Sequence, residues 1–174
     1  MIVRDATEDD LARIVEIYNT AIPGRMSTAD TTPVTVESRR AWFREHTPGQ
    51  RPLWVSVDDR AIAGWLSFQS FYGRPAYLAT AELSVYVAPT HHRRGIAKDL
   101  MQRAISKSPD LGLRTLLGFI FGHNEPSLRL FESFGFDRMG VLPRVAELDG
   151  VERDLVIVGR RVAPAGQNIQ KDQG

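Results

Sequence analysis

The middle of the chain joins an apolar strand to an amphipathic helix through a short basic loop that contains a glycine. Apolar residues predict the strand over Tyr77–Val87, and the loop is the run His91–Gly95. Leu100, Met101 and Ile105 then recur at helical spacing. The first amides of a helix have no intrahelical partner and lie at the positive end of its dipole, so this arrangement suits an anion such as a phosphate. A solvated surface loop is the alternative interpretation.

This loop does not match the common nucleotide-binding motifs. The chain has neither the GxGxxG pattern of dinucleotide-binding folds nor the GxxxxGK pattern, followed by Ser or Thr, of P-loop proteins. The formal net charge is +1 over 174 residues, so no broad electrostatic field attracts nucleic acid or a membrane surface. We therefore expect any anion site to be local, with neither nucleic acid nor a membrane as a partner.

Length and cysteine content limit the fold further. A chain of this length can bury one core without disulfides or structural metals. Because there is no cysteine, disulfides, zinc knuckles and a thiol nucleophile are excluded. The charged first residues do not resemble a signal peptide, and no apolar run is long enough to span a membrane, so we expect a cytoplasmic protein. We expect a single domain over residues 1–162 and a flexible C-terminal tail over residues 163–174.

Hydrophobic periodicity and turn signals predict an α/β (α+β) chain in the order β α α β β β α β α β β. Thr7 is expected to cap the first helix, and Asn124 to cap the last. Asp149 and Gly150 are expected to form the turn of a closing hairpin. The other predicted elements are a helix over Val36–His46 and strands over Leu53–Val57, Ala61–Phe68, Leu113–Phe121, Phe136–Val145 and Glu152–Val162.

Five segments together carry a family pattern. Glu82–Val87 before the basic loop, and Leu130–Phe136 near the end of the last helix, resemble the GNAT acetyltransferase superfamily. Ile2–Glu8, Arg74–Glu82 and Asn124–Leu130 resemble its phosphinothricin and methionine sulfoximine acetyltransferase branch. The resemblance extends over residues 1–161. It implies a mixed, mostly antiparallel central sheet of about six to seven strands, flanked by about four helices.

The same resemblance implies acetyl-CoA as the acetyl donor. Its pantetheine arm is expected to pair like an added strand with Val85, Tyr86 and Val87, and Asn124 and Ser127 are expected to contact the cofactor as well. Its pyrophosphate is expected on main-chain amides of the loop. The loop residues concerned are Arg93, Arg94, Gly95, Ile96, Ala97 and Lys98. His92 stands where the family has Gln or Arg, but main-chain contacts do not depend on that side chain.

The family transfers the acetyl group directly to an amine, and the resemblance assigns Glu82 as the general base. A structural glutamate whose charge is satisfied by neighbours is the alternative for this position. Phe131 stands where the superfamily often has the tyrosine that protonates the leaving thiolate. Because a phenyl ring has no proton to donate, no general acid is assigned. No metal is expected.

The resemblance also indicates the acceptor, a small-molecule amine. Arg74, Tyr77 and Thr80 are the candidate substrate-binding residues, and the guanidinium of Arg74 suits a carboxylate. A surface arginine is the alternative there. The expected reaction is acetylation of the α-amino group of a small amino acid or an analogue such as phosphinothricin or methionine sulfoximine. Acetylation of a peptide N-terminus or polyamine, and a catalytically idle acyl-CoA-binding module, are the alternatives. The family also leads us to expect a homodimer.

Overall fold

The computed structural model describes residues 1–162, which form one sheet with helices on both faces. The predicted α/β class and the predicted order of elements are confirmed. Short 3-10 turns precede several of these elements. In chain order the strands and helices are β1 (Ile2–Asp5), α1 (Leu11–Ala21), α2 (Val36–Arg44), β2 (Leu53–Asp58), β3 (Ala61–Ser70), β4 (Thr80–Val87), α3 (Ile96–Lys107), β5 (Thr115–Phe121), α4 (Glu125–Ser133), β6 (Asp137–Leu148) and β7 (Val151–Arg161).

The seven strands form a single sheet in the order β1-β2-β3-β4-β5-β7-β6. Neighbouring strands are antiparallel except for the parallel pair β4 and β5. This pair is joined only where Thr80–Glu82 lies against Thr115–Leu117. Beyond Glu82 the two strands diverge, although β4 continues to Val87 and β5 to Phe121. The divergence opens a wedge in the middle of the sheet.

A different pair of helices covers each face of the sheet. On one face α3 and α4 bury apolar side chains such as Leu100 and Leu128. On the other face α1 and α2 pack over β2 and β3, where Ile14 and Trp65 belong to a second buried cluster. Each helix can do this because its sequence gives it one apolar stripe. Apolar side chains of the wedge strands, such as Leu83 and Leu116, are buried on the first face, whereas residues 84–87 of β4 stay half-buried.

Proline and capping residues shift some predicted boundaries. The predicted start of the fourth strand at Tyr77 is wrong, because Pro75 opens a 3-10 turn over Pro75–Tyr77 and β4 begins at Thr80. Thr7 caps a 3-10 turn rather than α1 itself. The carboxylate of Asp10 accepts a hydrogen bond from the Thr7 amide at 2.7 Å, which closes that turn.

The closing hairpin forms as predicted. Asp149 (φ +51°) and Gly150 (φ +77°) both take left-handed conformations, as a type I′ turn between β6 and β7 requires. The flexible tail expected over residues 163–174 lies outside the described residues. Among the helices of residues 1–162, none is both long and apolar enough to cross a membrane.

Gly118 on β5 lies directly beneath the ring of Phe131, and we predict that Gly118→Ala destabilises the protein. An added Cβ would lie 2.6 Å from Phe131 Cε1 and 3.0 Å from Val158 Cγ2, and both neighbours are buried. Such overpacking costs about 1–3 kcal/mol, which lowers Tm by about 2–4 °C for each kcal/mol. Thermal denaturation measures the effect. Gly140→Ala is the control, because its nearest neighbour would be 3.9 Å away; equal Tm values for the two variants would contradict the prediction.

Candidate active site

The wedge between β4 and β5 is a cleft of about 400 Å³. Glu82 lies where the two strands separate, and the cleft widens from there along β4. Strands β4 and β5 and helix α4 form its walls, and the segment between α1 and α2 covers it. Its lining includes Met26, Ser84, Phe119, Asn124, Phe131 and Leu155.

Main-chain groups of β4 that face the cleft have no strand partner among residues 1–162. The Ala88 amide donates to the Ala63 carbonyl on β3 at 2.8 Å. Main-chain groups of alternate strand residues point to the same side, so those of Val85 and Val87 point away from β3 and into the wedge. Within residues 1–162, no residue of β5 pairs with either of them. An extended ligand that contains amides can pair with this edge as an added strand.

The basic loop follows the far end of β4 and offers further free amides. Arg93 (φ +62°) and Gly95 (φ +81°) are left-handed, and α3 begins at the next residue, Ile96. Such alternation of backbone conformations turns successive N–H groups toward one point, which is an anion-binding arrangement. No main-chain hydrogen bond in the described part of the chain uses the N–H groups of residues 93–95. The loop therefore offers the free amides that a pyrophosphate needs, and its role in binding one stays a prediction.

The order of these features along β4 fits acetyl-CoA. From Glu82 to Val87 the strand rises about 17 Å, at roughly 3.3 Å for each residue. Glu82 therefore marks one end of the free main-chain edge, and the basic loop lies beyond the other end. Acetyl-CoA has the same succession of a thioester, an arm that contains amides, and a pyrophosphate. The residues present fit this donor with its thioester close to Glu82.

Glu82 is half-buried in the cleft. Burial raises the pKa of its carboxyl above the ordinary value. No charged group or hydrogen bond among residues 1–162 contributes to that shift. Among residues 1–162 no group donates a hydrogen bond to this carboxyl, and its oxygens remain accessible to solvent in the cleft.

Asn124 and Phe131 line the cleft from α4 but are also used within the protein. Asn124 caps the helix, because its Oδ1 accepts from the Ser127 amide at 3.2 Å. Its Nδ2 donates to the Met26 carbonyl at 2.9 Å, which leaves Oδ1 with one further lone pair for a ligand. The Phe131 ring packs edge-on against Phe136, with centroids 4.9 Å apart, and presents only carbon to the cleft.

The α1–α2 loop, residues 22–35, is held over the cleft from both sides. The Tyr86 hydroxyl donates to the Ser27 carbonyl at 2.8 Å. Arg25 forms an ion pair with Asp149 of the closing hairpin at 2.9 Å. Met26–Ala29 line the cleft as a result. Burial raises the pKa of the Tyr86 hydroxyl far above its ordinary value, so it stays protonated and keeps donating to the loop.

The three predicted acceptor residues do not all lie beside Glu82. Thr80 is half-buried at the start of β4, and since alternate strand residues share a face it is on the same face as Glu82. Arg74 and Tyr77 lie on the exposed segment before β4 and do not line the cleft. The Tyr77 ring packs instead against Phe71, with centroids 5.2 Å apart. The role of these residues stays a prediction.

A second cavity, of about 120 Å³, adjoins the cleft beneath α1 and α2 and was missed by the sequence analysis. It shares Ser84 and Tyr86 with the cleft. The available signal was the alternation of polar or aromatic residues at every second position of β3 and β4, which indicates a polar stripe on one face of buried strands. We call this cavity the aromatic pocket; its other lining residues include Tyr18, Arg39, Trp42, Trp65, Ser67 and Gln69.

A parallel strand pair that opens beside a half-buried carboxyl, followed by a loop of free amides, is the arrangement expected of an acetyl-CoA-dependent acyltransferase. Residues 11–136 match the model of the acetyltransferase (GNAT) family, and the chain belongs to that family. It is therefore an N-acetyltransferase that uses acetyl-CoA. The resemblance seen in the sequence is confirmed.

Several relatives and solved structures are similar to this protein over almost the whole chain. YwnH of Bacillus subtilis (strain 168) is 49% identical over 164 residues, which cover 94% of this chain and 100% of that protein. The L-methionine sulfoximine/L-methionine sulfone acetyltransferase of Salmonella typhimurium is 30% identical over 158 residues, covering 91% of this chain and 92% of that protein. The crystal structure of a GNAT superfamily phosphinothricin acetyltransferase from Sinorhizobium meliloti in complex with AcCoA has a TM-score of 0.88 at 26% identity, covering 98% of this chain and 94% of that one.

We predict that Gly95→Ala weakens acetyl-CoA binding about tenfold. An L residue at φ +81° is strained by roughly 1–2 kcal/mol, and about 1.4 kcal/mol corresponds to tenfold in Kd. An added Cβ would meet nothing within 4 Å, so strain rather than a clash would be the cause. Gly112→Ala is the matched control, because Gly112 also has a positive φ (+73°) and open space but lies at the opposite end of α3. Calorimetric titration with acetyl-CoA that gives equal Kd values for both variants would contradict this role of the loop.

Proposed function

We propose that this enzyme acetylates the α-amino group of a small amino acid or analogue of the phosphinothricin or methionine sulfoximine type, with Glu82 as general base and direct attack of the amine on acetyl-CoA. The observation that carries the proposal is the unpaired, half-buried carboxyl of Glu82 at the narrow end of the cleft. The printed names of relatives indicate the same class of acceptor: one acts on methionine sulfoximine and methionine sulfone, and another on phosphinothricin.

The reaction needs a base because the acceptor amine must first lose a proton. An amino acid at neutral pH carries an ammonium group, which has no lone pair to attack a carbonyl. Glu82 takes a proton from this group, directly or through water, and the nitrogen then forms a bond to the thioester carbon while the carbon–sulfur bond breaks. The nitrogen loses its second proton to solvent, which balances the proton that the departing thiolate takes up. A carboxylate with a raised pKa is a stronger base than an exposed one, which suits this task.

A main-chain N–H at the open edge of β4 stabilises the negative charge that develops on the thioester oxygen. As the nitrogen adds, this oxygen becomes negative and needs a preorganised donor. In the proposal that donor is the N–H of Val85, which points into the wedge. Phe131 has no proton to give, so CoA leaves as a thiolate and takes its proton from solvent.

The residues predicted to bind the acceptor amine are part of this proposal. Thr80 shares a strand face with Glu82, so it is close to where the amine reacts. Arg74 is exposed, which leaves its guanidinium accessible to the carboxylate of an amino acid. Tyr77 lies on the same short segment and would border the bound acceptor.

We also propose that two copies of the chain form a homodimer. The β6–β7 hairpin is the supporting feature, because it exposes several large apolar side chains whose burial between copies would remove them from water. These are Met139, Val141, Leu142, Val145 and Val151. Since acetyl-CoA is a metabolite of the cell interior, we propose the cytoplasm as the place of action.

The function is tested by release of free CoA from acetyl-CoA in the presence of single acceptors. We expect turnover with L-methionine sulfoximine, phosphinothricin or free amino acids, and none with a polyamine or a short peptide. Turnover restricted to the polyamine or the peptide would assign another acceptor class. Saturable binding of acetyl-CoA without turnover of any amine would show an idle acyl-CoA-binding module instead.

Glu82→Gln tests the base. We expect turnover to fall about 100-fold or more while acetyl-CoA still binds, since Gln keeps the shape of the side chain but cannot accept the proton. In the wild type, kcat/KM should fall as pH drops through the raised pKa of Glu82, because only the ionised carboxyl acts as a base. This loss should begin at a higher pH than for an ordinary carboxyl.

Glu16→Gln, on the exposed side of α1, is the control for the loss of one carboxylate. It should keep the turnover and the pH profile of the wild type. If Glu82→Gln retains turnover, or retains the acidic fall in kcat/KM, Glu82 is not the base.

A further inference from the structure

Four polar side chains form a row on one face of β3 and β4, and three of them line the aromatic pocket. The strand register pairs Gln69 with Glu82, Ser67 with Ser84, and Trp65 with Tyr86. Directly paired side chains have Cβ atoms about 4.5–5.5 Å apart, and diagonal neighbours are about 7–8 Å apart. Ser67 is therefore a diagonal neighbour of Glu82 on the same face.

Ser67 is the unusual member of this row. It is only 1% exposed, and its hydroxyl has no hydrogen-bond partner among the described residues. A buried hydroxyl without a partner costs free energy, so such groups in native proteins are normally satisfied. Because Ser67 lines the aromatic pocket, its hydroxyl is available to a molecule that enters the pocket.

The walls of the pocket select for a small, mostly apolar group. The Trp65 and Tyr86 rings stack with centroids 4.7 Å apart, and the Trp42 ring meets Trp65 edge-on at 5.8 Å. The pocket volume, about 120 Å³, is somewhat smaller than a cavity of roughly 150 Å³ that accepts benzene. A side chain of methionine size fits this space.

The charges at the pocket select against a cationic side chain. The guanidinium of Arg39 lies 4.8 Å from the centroid of the Tyr18 ring, where it takes the cation position on that aromatic face. It also forms an ion pair with Asp30 at 2.9 Å. The lining contributed by residues 1–162 contains no carboxylate. The polar groups that line the pocket thus include several hydrogen-bond donors, and an oxygen acceptor is their natural partner.

We infer that Ser67 is a specificity-determining residue that donates its hydroxyl hydrogen to an oxygen at the distal end of the acceptor side chain. The amine of the acceptor lies at Glu82, and its side chain extends along the diagonal into the aromatic pocket. The inference rests on the proposed function and narrows it to neutral, methionine-sized side chains that carry a distal oxygen. An oxygen bonded to sulfur, as in a sulfone, meets this requirement, whereas the thioether of methionine is a much weaker acceptor.

The test compares kcat/KM for L-methionine sulfone and for L-methionine in the wild type and in Ser67→Ala. The wild type should prefer the sulfone, and Ser67→Ala should reduce the ratio of the two kcat/KM values about tenfold, which is the usual effect of one hydrogen bond. A thermal melt accompanies the assay. Because the substitution removes a buried hydroxyl without a partner, we expect Tm to be equal to that of the wild type or higher.

Ser56→Ala is the matched control. Ser56 is likewise fully buried, and its hydroxyl also has no partner in the described part of the chain, but it lies on β2 and does not line the pocket. It should leave the sulfone-to-methionine ratio unchanged. An unchanged ratio in Ser67→Ala, with both acceptors turned over, would overturn the role of Ser67 and leave the proposed function standing. Failure of the wild type to acetylate either amino acid would instead count against the proposed function.

Discussion

The early end of the ladder between β4 and β5 is the constraint on which the site depends. Pairing stops at Glu82 and Leu117, yet both strands continue in the middle of the sheet. Main-chain groups left unpaired in such a place need another partner. The fold therefore contains, at its centre, a strand edge that an extended ligand with its own amides can complete, and acetyl-CoA has such an arm.

The main-chain groups and the side chains of β4 point in different directions, and this separates the proposed positions of the two substrates. Its main-chain groups at Val85 and Val87 lie in the plane of the sheet and face the wedge, where the donor fits. Its side chains at Glu82 and Ser84 stand out from the sheet on one face, where Ser84 lines both the cleft and the aromatic pocket and Glu82 lines the cleft. In our proposal the donor lies along the main-chain edge and the acceptor approaches from the side-chain face, so that both substrates meet beside Glu82.

The features predicted correctly from the sequence are those that depend on residues close together in the chain. The cap at Asn124 and the closing turn at Asp149 and Gly150 depend on residues within a few positions of one another, so their patterns are visible along the chain. The start of β4 was predicted too early because apolar character outweighed Pro75. The Ser67–Ser84 pair was missed because it depends on strand register, which cannot be read without knowing which strands are neighbours.

Hydrogen exchange of single β4 amides, followed by NMR with and without acetyl-CoA, tests most directly whether the donor completes the open strand edge. The amides of Ser84 and Tyr86 point to β3 and should exchange slowly in both states. The amides of Val85 and Val87 point into the wedge, so the account predicts that saturating acetyl-CoA slows their exchange markedly. Unchanged exchange at Val85 and Val87 in the saturated protein would contradict the account.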